Sequence, residues 1–135
     1  MVDTVDKDTR SRIMARVRGK DTKPELVVRR LLFGSGYRYR LHDRNLPGKP
    51  DLVFLGRRKV IFVHGCFWHG HDCPRGNRLP KTNANYWRVK IERTRERDKV
   101  NAAKLEAEGW GVLVVWECQL RNDEQIVSRL RSFLD

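Results

Sequence analysis

No stretch of the 135 residues comes near the roughly 20 consecutive apolar positions needed to cross a bilayer. The opening MVDTVDKDTR is charged where a secretion signal needs its apolar segment. Both absences predict a cytoplasmic protein with no membrane partner. Cysteine is scarce too. There are three, an odd number that would strand one thiol in an oxidising compartment, which argues against a disulfide framework and for a metal shell of three thiolates and one imidazole. Repeats, low-complexity tracts and linkers are missing, and the length suits one hydrophobic core, so a single domain over residues 1–135 is expected to carry everything. Acidic residues are in deficit, 17 against 29 Lys and Arg, leaving a formal net charge of +12. That excess is the footprint of a phosphate-backbone binder, although charge alone does not separate DNA from RNA or a membrane surface.

What is present reads as alternating helices and strands. Residues 1–21 are dominated by charge, with Ile13, Met14, Ala15 and Val17 as apolar punctuation, and predict an arm that orders on a partner. Thr22-Lys23-Pro24-Glu25 has the capping-box pattern and opens a helix that ends at Gly34 and Gly36. Strands are expected at 37–41, 51–55 and 59–63, separated by Asn45-Leu46-Pro47-Gly48 and Gly56-Arg57-Arg58, and together they suggest an antiparallel meander. A long solvent-facing helix over 86–108 closes at Gly109. The uninterrupted apolar run GVLVVW at 111–116 suits a strand covered on both faces in a mixed or parallel sheet, and an amphipathic helix follows over 123–133. The fold class is α/β, in the order helix, three strands, helix, strand, helix.

Two groups of residues carry chemistry. Cys66, His71 and Cys73 lie in HGCFWHGHDC directly after the third strand, and Cys118 falls two residues past the fourth. A tetrahedral zinc shell would use all three thiols and one imidazole. Ligands at both ends of the sheet would then pin a loop with little core of its own, and four protein ligands leave no open position, so the zinc would be structural. By spacing His69 is as good a ligand as His71, and free thiols are the alternative. The second group suits phosphodiester hydrolysis, which needs a carboxylate for a divalent metal and a base for water. Asp51, after Pro50, sits where a strand begins. His64 and His69 share the proposed zinc loop, and three of the four histidines fall between 64 and 71. His42, apart from them, reads as a surface residue. Glu25 is either a helix cap or a site carboxylate. Phe67 and Trp68 are adjacent in a loop and cannot easily both point inward, which predicts an exposed aromatic wedge. Trp87 and Trp110 could serve the core equally well.

LPGKPDLVFLGRRKVIFVHGCFWHGHDC at 46–73 and VLVVWEC at 112–118 resemble the very-short-patch repair (Vsr) endonucleases, and the likeness extends to the N-terminal arm and to KTNANYW at 81–87. The resemblance implies a restriction-endonuclease-like core around a mixed central sheet. It also implies a magnesium-dependent enzyme that nicks double-stranded DNA on the 5′ side of the thymine in T:G mispairs left by 5-methylcytosine deamination. By the same resemblance Asp51 holds Mg2+, joined by the main-chain carbonyl of Val63; His69 is the general base; His64 contacts the scissile phosphate; and Glu25 stands near the base. Cys66, His71, Cys73 and Cys118 take Zn2+. Phe67, Trp68 and Trp87 intercalate beside the mismatch, and Met14 enters from the opposite groove. A monomer acting on the bacterial nucleoid, with a MutL-like repair partner, is the implied setting. This chain departs from the family pattern at Val63, where Thr is usual, and at Gly70, where His is usual. The glutamate and lysine of the wider superfamily's E-x-K element are also absent from the third strand, so basicity must come from histidine. The competing expectations are a non-catalytic zinc module that binds DNA, an RNA-binding protein, and a related nuclease for another lesion or sequence.

Overall fold

The computed structural model describes residues 22–135; the arm at 1–21, and with it Met14, lies outside them. The first helix, α1, runs Lys23–Gly34. Thr22 accepts the Glu25 N–H through its hydroxyl, and Pro24 occupies the first turn, where its missing N–H costs nothing. The reciprocal half of the capping box is not used, because the Glu25 carboxylate turns toward Arg29 and His42. Val28 and Leu32 are the face that α1 buries.

Three strands follow, β1 at Arg40–Leu41, β2 at Leu52–Phe54 and β3 at Lys59–His64, paired antiparallel in the expected meander. The first is much shorter than the sequence suggested. The Tyr37 N–H is drawn back to the Leu32 carbonyl at the end of α1, and the hydroxyls of Tyr37 and Tyr39 bond Asp135 and the Arg29 carbonyl, so only two residues remain for the ladder. The long helix α2 spans Ala84–Ala107 and buries only Ile91 and Leu105, so it is solvated along most of its length, as its charge predicts. Strand β4, Gly111–Trp116, returns parallel to β3, from Lys59↔Gly111 to His64↔Trp116. A 3-10 turn at Glu117–Arg121, which the sequence reading did not contain, leads to α3 at Asp123–Leu134. No helix among the described residues is long and apolar enough to cross a membrane.

The sheet order is β1-β2-β3-β4, a mixed sheet with helices on both faces. Strand alternation divides the core in two. Leu52, Phe54, Ile61, Val63 and Val115 pack with Val28 and Leu32 of α1 and Ile126, Leu130 and Leu134 of α3. Val53, Val60 and Phe62 face the other way, onto Leu105 and Trp110. The expectation that GVLVVW is covered on both faces holds, with Leu113 and Val115 packed into the first cluster and Val112 and Val114 against the second. β4 is an edge strand, so of its residues only Val115 is fully buried. Because β3 and β4 run the same way, their chains leave the sheet side by side at one end, and that end carries the site.

Candidate active site and metal centre

The parallel pairing brings the proposed zinc ligands together. Cys66 lies two residues beyond His64 and Cys118 two beyond Trp116, residues that are themselves paired, and the Cys118 N–H approaches the Cys66 sulfur at 3.4 Å. The ligands therefore come from one end of the sheet and not from both, because β4 is parallel to β3. Between them the chain folds into tight turns, with the His71 N–H on the Cys66 carbonyl at 3.0 Å and the Cys73 N–H on the His71 carbonyl at 2.9 Å. Donor atoms of Cys66, His71, Cys73 and Cys118 all lie within 4.8 Å of one another, and Cys118 Sγ is 3.5 Å from His71 Nδ1. A tetrahedral shell with zinc–sulfur and zinc–nitrogen bonds of ordinary length places S and N about 3.6 Å apart, so the donor set fits a zinc ion. Burial pushes the Cys66 thiol up to about 12, while the Gly76 N–H on its sulfur helps bring Cys73 down to about 7. His69 is not part of this cluster; its Nδ1 is engaged elsewhere. The His71 ring stacks on Trp116 with centroids 4.2 Å apart.

Gly76 escaped the sequence reading, although Pro74-Arg75-Gly76 is a turn signal. A Cβ there would lie 1.9 Å from the His71 carbonyl oxygen, which is backbone and cannot swing aside. Gly76→Ala is therefore expected to open the loop and lower zinc retention at least tenfold, measured as metal content after dialysis against a mild chelator.

Beside the cluster stand the three remaining histidines and three carboxylates. Asp51 immediately precedes β2, and its Oδ2 accepts the Val63 N–H at 2.7 Å. Burial raises Asp51 from 3.8 to about 6, opposed by that hydrogen bond and by the nearby basic side chains of His42, His69 and Arg29. Val63 itself points into the core, so position 63 meets Asp51 through its main chain and the missing hydroxyl takes nothing from this contact. His64, 6% exposed at the end of β3, is held neutral by burial, its pKa lowered to about 3. Its ring lies flat on that of His69, centroids 3.7 Å apart and planes 1° from parallel. His69 Nδ1 is 2.6 Å from Asp98 Oδ2. With Nδ1–H donating to that carboxylate, the lone pair of His69 is on Nε2, the arrangement of an oriented general base. Asp98 left no trace in the sequence pattern, being one of many charges on α2.

His42 is a correction. It is not a free surface side chain but is half-buried against Glu25, its Nε2 at 2.9 and 3.0 Å from the two carboxylate oxygens. Glu25, His42 and Asp51 have donor atoms within 4.8 Å of one another, as do His64, His69 and Asp98, so besides the zinc cluster two groups among the described residues are able to face a cation. The chemistry of two carboxylates, Glu25 and Asp51, suits a hard divalent ion such as magnesium.

The aromatic wedge takes the form of a platform. Phe67 and Trp87 each pack edge to face on Trp68 and tilt against one another, with centroids 5.2 to 5.6 Å apart, and Tyr86 adds a fourth ring 5.3 Å from Trp87. Trp68 is 36% exposed and Tyr86 58%, and Lys90 Nζ lies 5.5 to 5.8 Å from three of the rings. Trp110, by contrast, belongs to the core. Gly70 locks the platform's loop to α2: its φ is +63°, and a Cβ would come within 2.6 Å of Ile91 Cγ2 and 2.8 Å of Arg95 Cδ. In this chain the position demands glycine. A histidine–aspartate pair, a buried carboxylate and a flat aromatic surface with a lysine thus share one end of the sheet.

Residues 2–75 match the family described as DNA mismatch endonuclease Vsr. Over 135 residues the chain is 52% identical to the type II nicking enzyme V.XorIIP of Xanthomonas oryzae pv. oryzae, covering 100% of this chain and 98% of the relative. It is 42% identical over 139 residues to the DNA mismatch endonuclease Vsr of Escherichia coli K12, covering 99% of this chain and 88% of that protein. Among solved structures the catalytic domain of the homing endonuclease I-Bth0305I shares the fold, with a TM-score of 0.56 at 20% identity, over 84% of this chain and 94% of that one.

Proposed function

Because the chain belongs to the DNA mismatch endonuclease Vsr family, we propose that it nicks duplex DNA on the 5′ side of the thymine of a T:G mispair, starting very-short-patch repair. The observation that carries this reading is the His69–Asp98 dyad stacked on His64, beside Asp51 and under an exposed aromatic platform. Phe67, Trp68 and Trp87 offer flat apolar faces that can enter a duplex where the stack is already weakened, since unstacking is least costly at a mispair. Lys90 and the other basic groups of α2 hold the phosphates on either side.

In the chemical step a water attacks phosphorus in line with the 3′ oxygen, and His69 Nε2 takes the water's proton while Asp98 stabilises the resulting imidazolium. The P–O3′ bond breaks, the 3′ oxygen takes a proton from solvent, and the products are a 3′ hydroxyl and a 5′ phosphate. Neutral His64 hydrogen-bonds the scissile phosphate without repelling the proton arriving at His69. Asp51, with the main chain of Val63 and with Glu25 nearby, would hold Mg2+. When bound, that ion neutralises charge on the phosphate and the leaving oxygen. Cys66, His71, Cys73 and Cys118 would hold Zn2+ purely as a staple, fixing the loop that presents His69, Phe67 and Trp68. The arm at 1–21, with Met14, is assigned to the opposite groove, within a single nuclease domain that acts as a monomer and engages a MutL-like repair protein.

The test is a strand-cleavage assay on end-labelled duplexes carrying T:G, other mispairs or C:G at one position, with magnesium or chelator. Nicking of the thymine strand at T:G alone, abolished by chelator, is expected. Equal cleavage of matched duplex would keep the nuclease and remove the mismatch. Nicking of a different mispair or one fixed sequence would favour a neighbouring specificity, a reading lent weight by relatives named for type II nicking. Asp98→Asn is expected to lower kcat about 10–100-fold with KM for duplex nearly unchanged, because the amide can no longer stabilise an imidazolium. An unchanged kcat would remove Asp98 from the mechanism.

A further inference from the structure

Glu25 is 1% exposed, yet it is a carboxylate on the buried face of α1. An uncompensated charge there would be costly, so the group would normally be protonated or replaced. Two side chains from different parts of the chain meet it. Arg29, one turn along the same helix, pairs with Glu25 Oε2. His42 comes from the end of β1 and spans both oxygens with Nε2. Glu25 is therefore held from two directions.

The placement of His42 follows from the sheet. Leu41 pairs with Leu52, so the next positions outward are His42 and Asp51, and the His42 N–H indeed donates to the Asp51 carbonyl at 3.2 Å. The main chain then turns sharply: His42 has a φ of +48°, a left-handed conformation rare for a side chain of this size. One residue thus carries the last hydrogen bond of the ladder beside Asp51 and reaches across to the carboxylate of α1.

We propose that His42 is a positioning residue of the cation centre: together with Arg29 it holds the Glu25 carboxylate turned toward Asp51, giving the centre a second carboxylate. This rests on the reading of Asp51 as the magnesium-holding group. His42 does not touch the reacting atoms; it acts through Glu25, as hydrogen-bond partners behind a metal-facing ligand do elsewhere. A helix carboxylate and a strand carboxylate would otherwise have no fixed separation, and a hard octahedral cation tolerates little looseness in its ligands.

The experiment compares His42→Leu, which removes the donor, with His42→Gln, whose amide N–H reaches close to the position of Nε2. Mn2+ binding to DNA-free protein is read from the electron paramagnetic resonance signal of the unbound ion, with the magnesium dependence of nicking measured beside it. His42→Leu is expected to weaken Mn2+ binding about tenfold and to raise half-saturating magnesium by a similar factor, with His42→Gln within about threefold of the parent. Unaltered Mn2+ binding in folded His42→Leu overturns the proposal. So does a His42→Gln protein that unfolds at the parent temperature but binds as weakly as the leucine variant. Asp51→Asn is the control: if it binds Mn2+ like the parent, the cation centre itself is misplaced, an outcome distinct from a silent His42.

Discussion

Asp51→Asn should make a protein that is more stable at neutral pH and no longer cuts DNA. Burial lifts the Asp51 pKa from 3.8 to about 6, so the folded chain prefers the protonated acid. A carboxyl whose folded pKa is raised contributes its full stability only below its unfolded value and loses it as pH climbs through the folded one. Above pH 6 the ionised carboxylate therefore costs the DNA-free, metal-free fold about 2–3 kcal/mol. Asparagine keeps an acceptor for the Val63 N–H and carries no charge, so at pH 7.5 its Tm should exceed the parent's by several degrees. The gap should close toward pH 4.5, where the parent's own acid is protonated. His64 pulls the other way, since its lowered pKa makes both proteins lose stability as pH falls below 6.5, and that contribution cancels in the comparison. Turnover should fall at least about a thousandfold, equivalent to about 4 kcal/mol of transition-state stabilisation, while mismatch affinity stays within about tenfold. Parent activity should also decline below pH 6 as the Asp51 carboxylate is protonated. Thermal melts at the two pH values, with single-turnover nicking, check both halves; an asparagine variant that cuts would remove Asp51 from the centre.

Cys118→Ser should do the reverse, removing stability and function together. Cys118, in the 3-10 turn just past β4, is the one thiol of the cluster from that side, and its contacts with Cys66 and His71 close the loop against the second parallel strand. Elemental analysis of the parent should give about one zinc per chain, and the serine variant should lose most of it to a mild chelator. The melting temperature should fall by roughly 10 °C, the equivalent of about 3 kcal/mol for a chain of this size. His69, Phe67 and Trp68 ride on the same loop, so mismatch binding and nicking should disappear together, unlike Asp51→Asn, where binding persists. A folded, metal-free parent with full activity would turn the four residues into ordinary thiols and an imidazole.

These two residues also mark how far the sequence reaches. The cluster that includes Cys118 was legible from the arithmetic of three cysteines and a nearby histidine, whereas for Asp51 only its place at the start of a strand was, its metal-holding role coming from the family resemblance and standing as a proposal. The helix over Lys23–Gly34, the long charged helix, GVLVVW as a strand and the terminal amphipathic helix were legible as well, because hydrophobic period and capping chemistry are local properties of the chain. So was the basic surface. The choice between His69 and His71 was not, since both lie within reach of the same thiols by spacing. It was decided by which ring stacks on Trp116 and which finds Asp98 on α2.

The sequence by itself thus determined the elements, their order, the surface charge and the kinds of chemistry available. Only the tertiary structure decided who meets whom. The parallel return of β4 beside β3 brings Cys118 to Cys66 across 52 positions of chain. The pairing of β1 with β2 sets His42 beside Asp51 and within reach of Glu25. Asp98, one charge among many on a solvated helix, becomes the partner of His69 only once α2 lies against the loop. The division has a physical reason: period, caps and turns are fixed by near neighbours, whereas a site is assembled from contacts whose energy exists only after distant segments have packed.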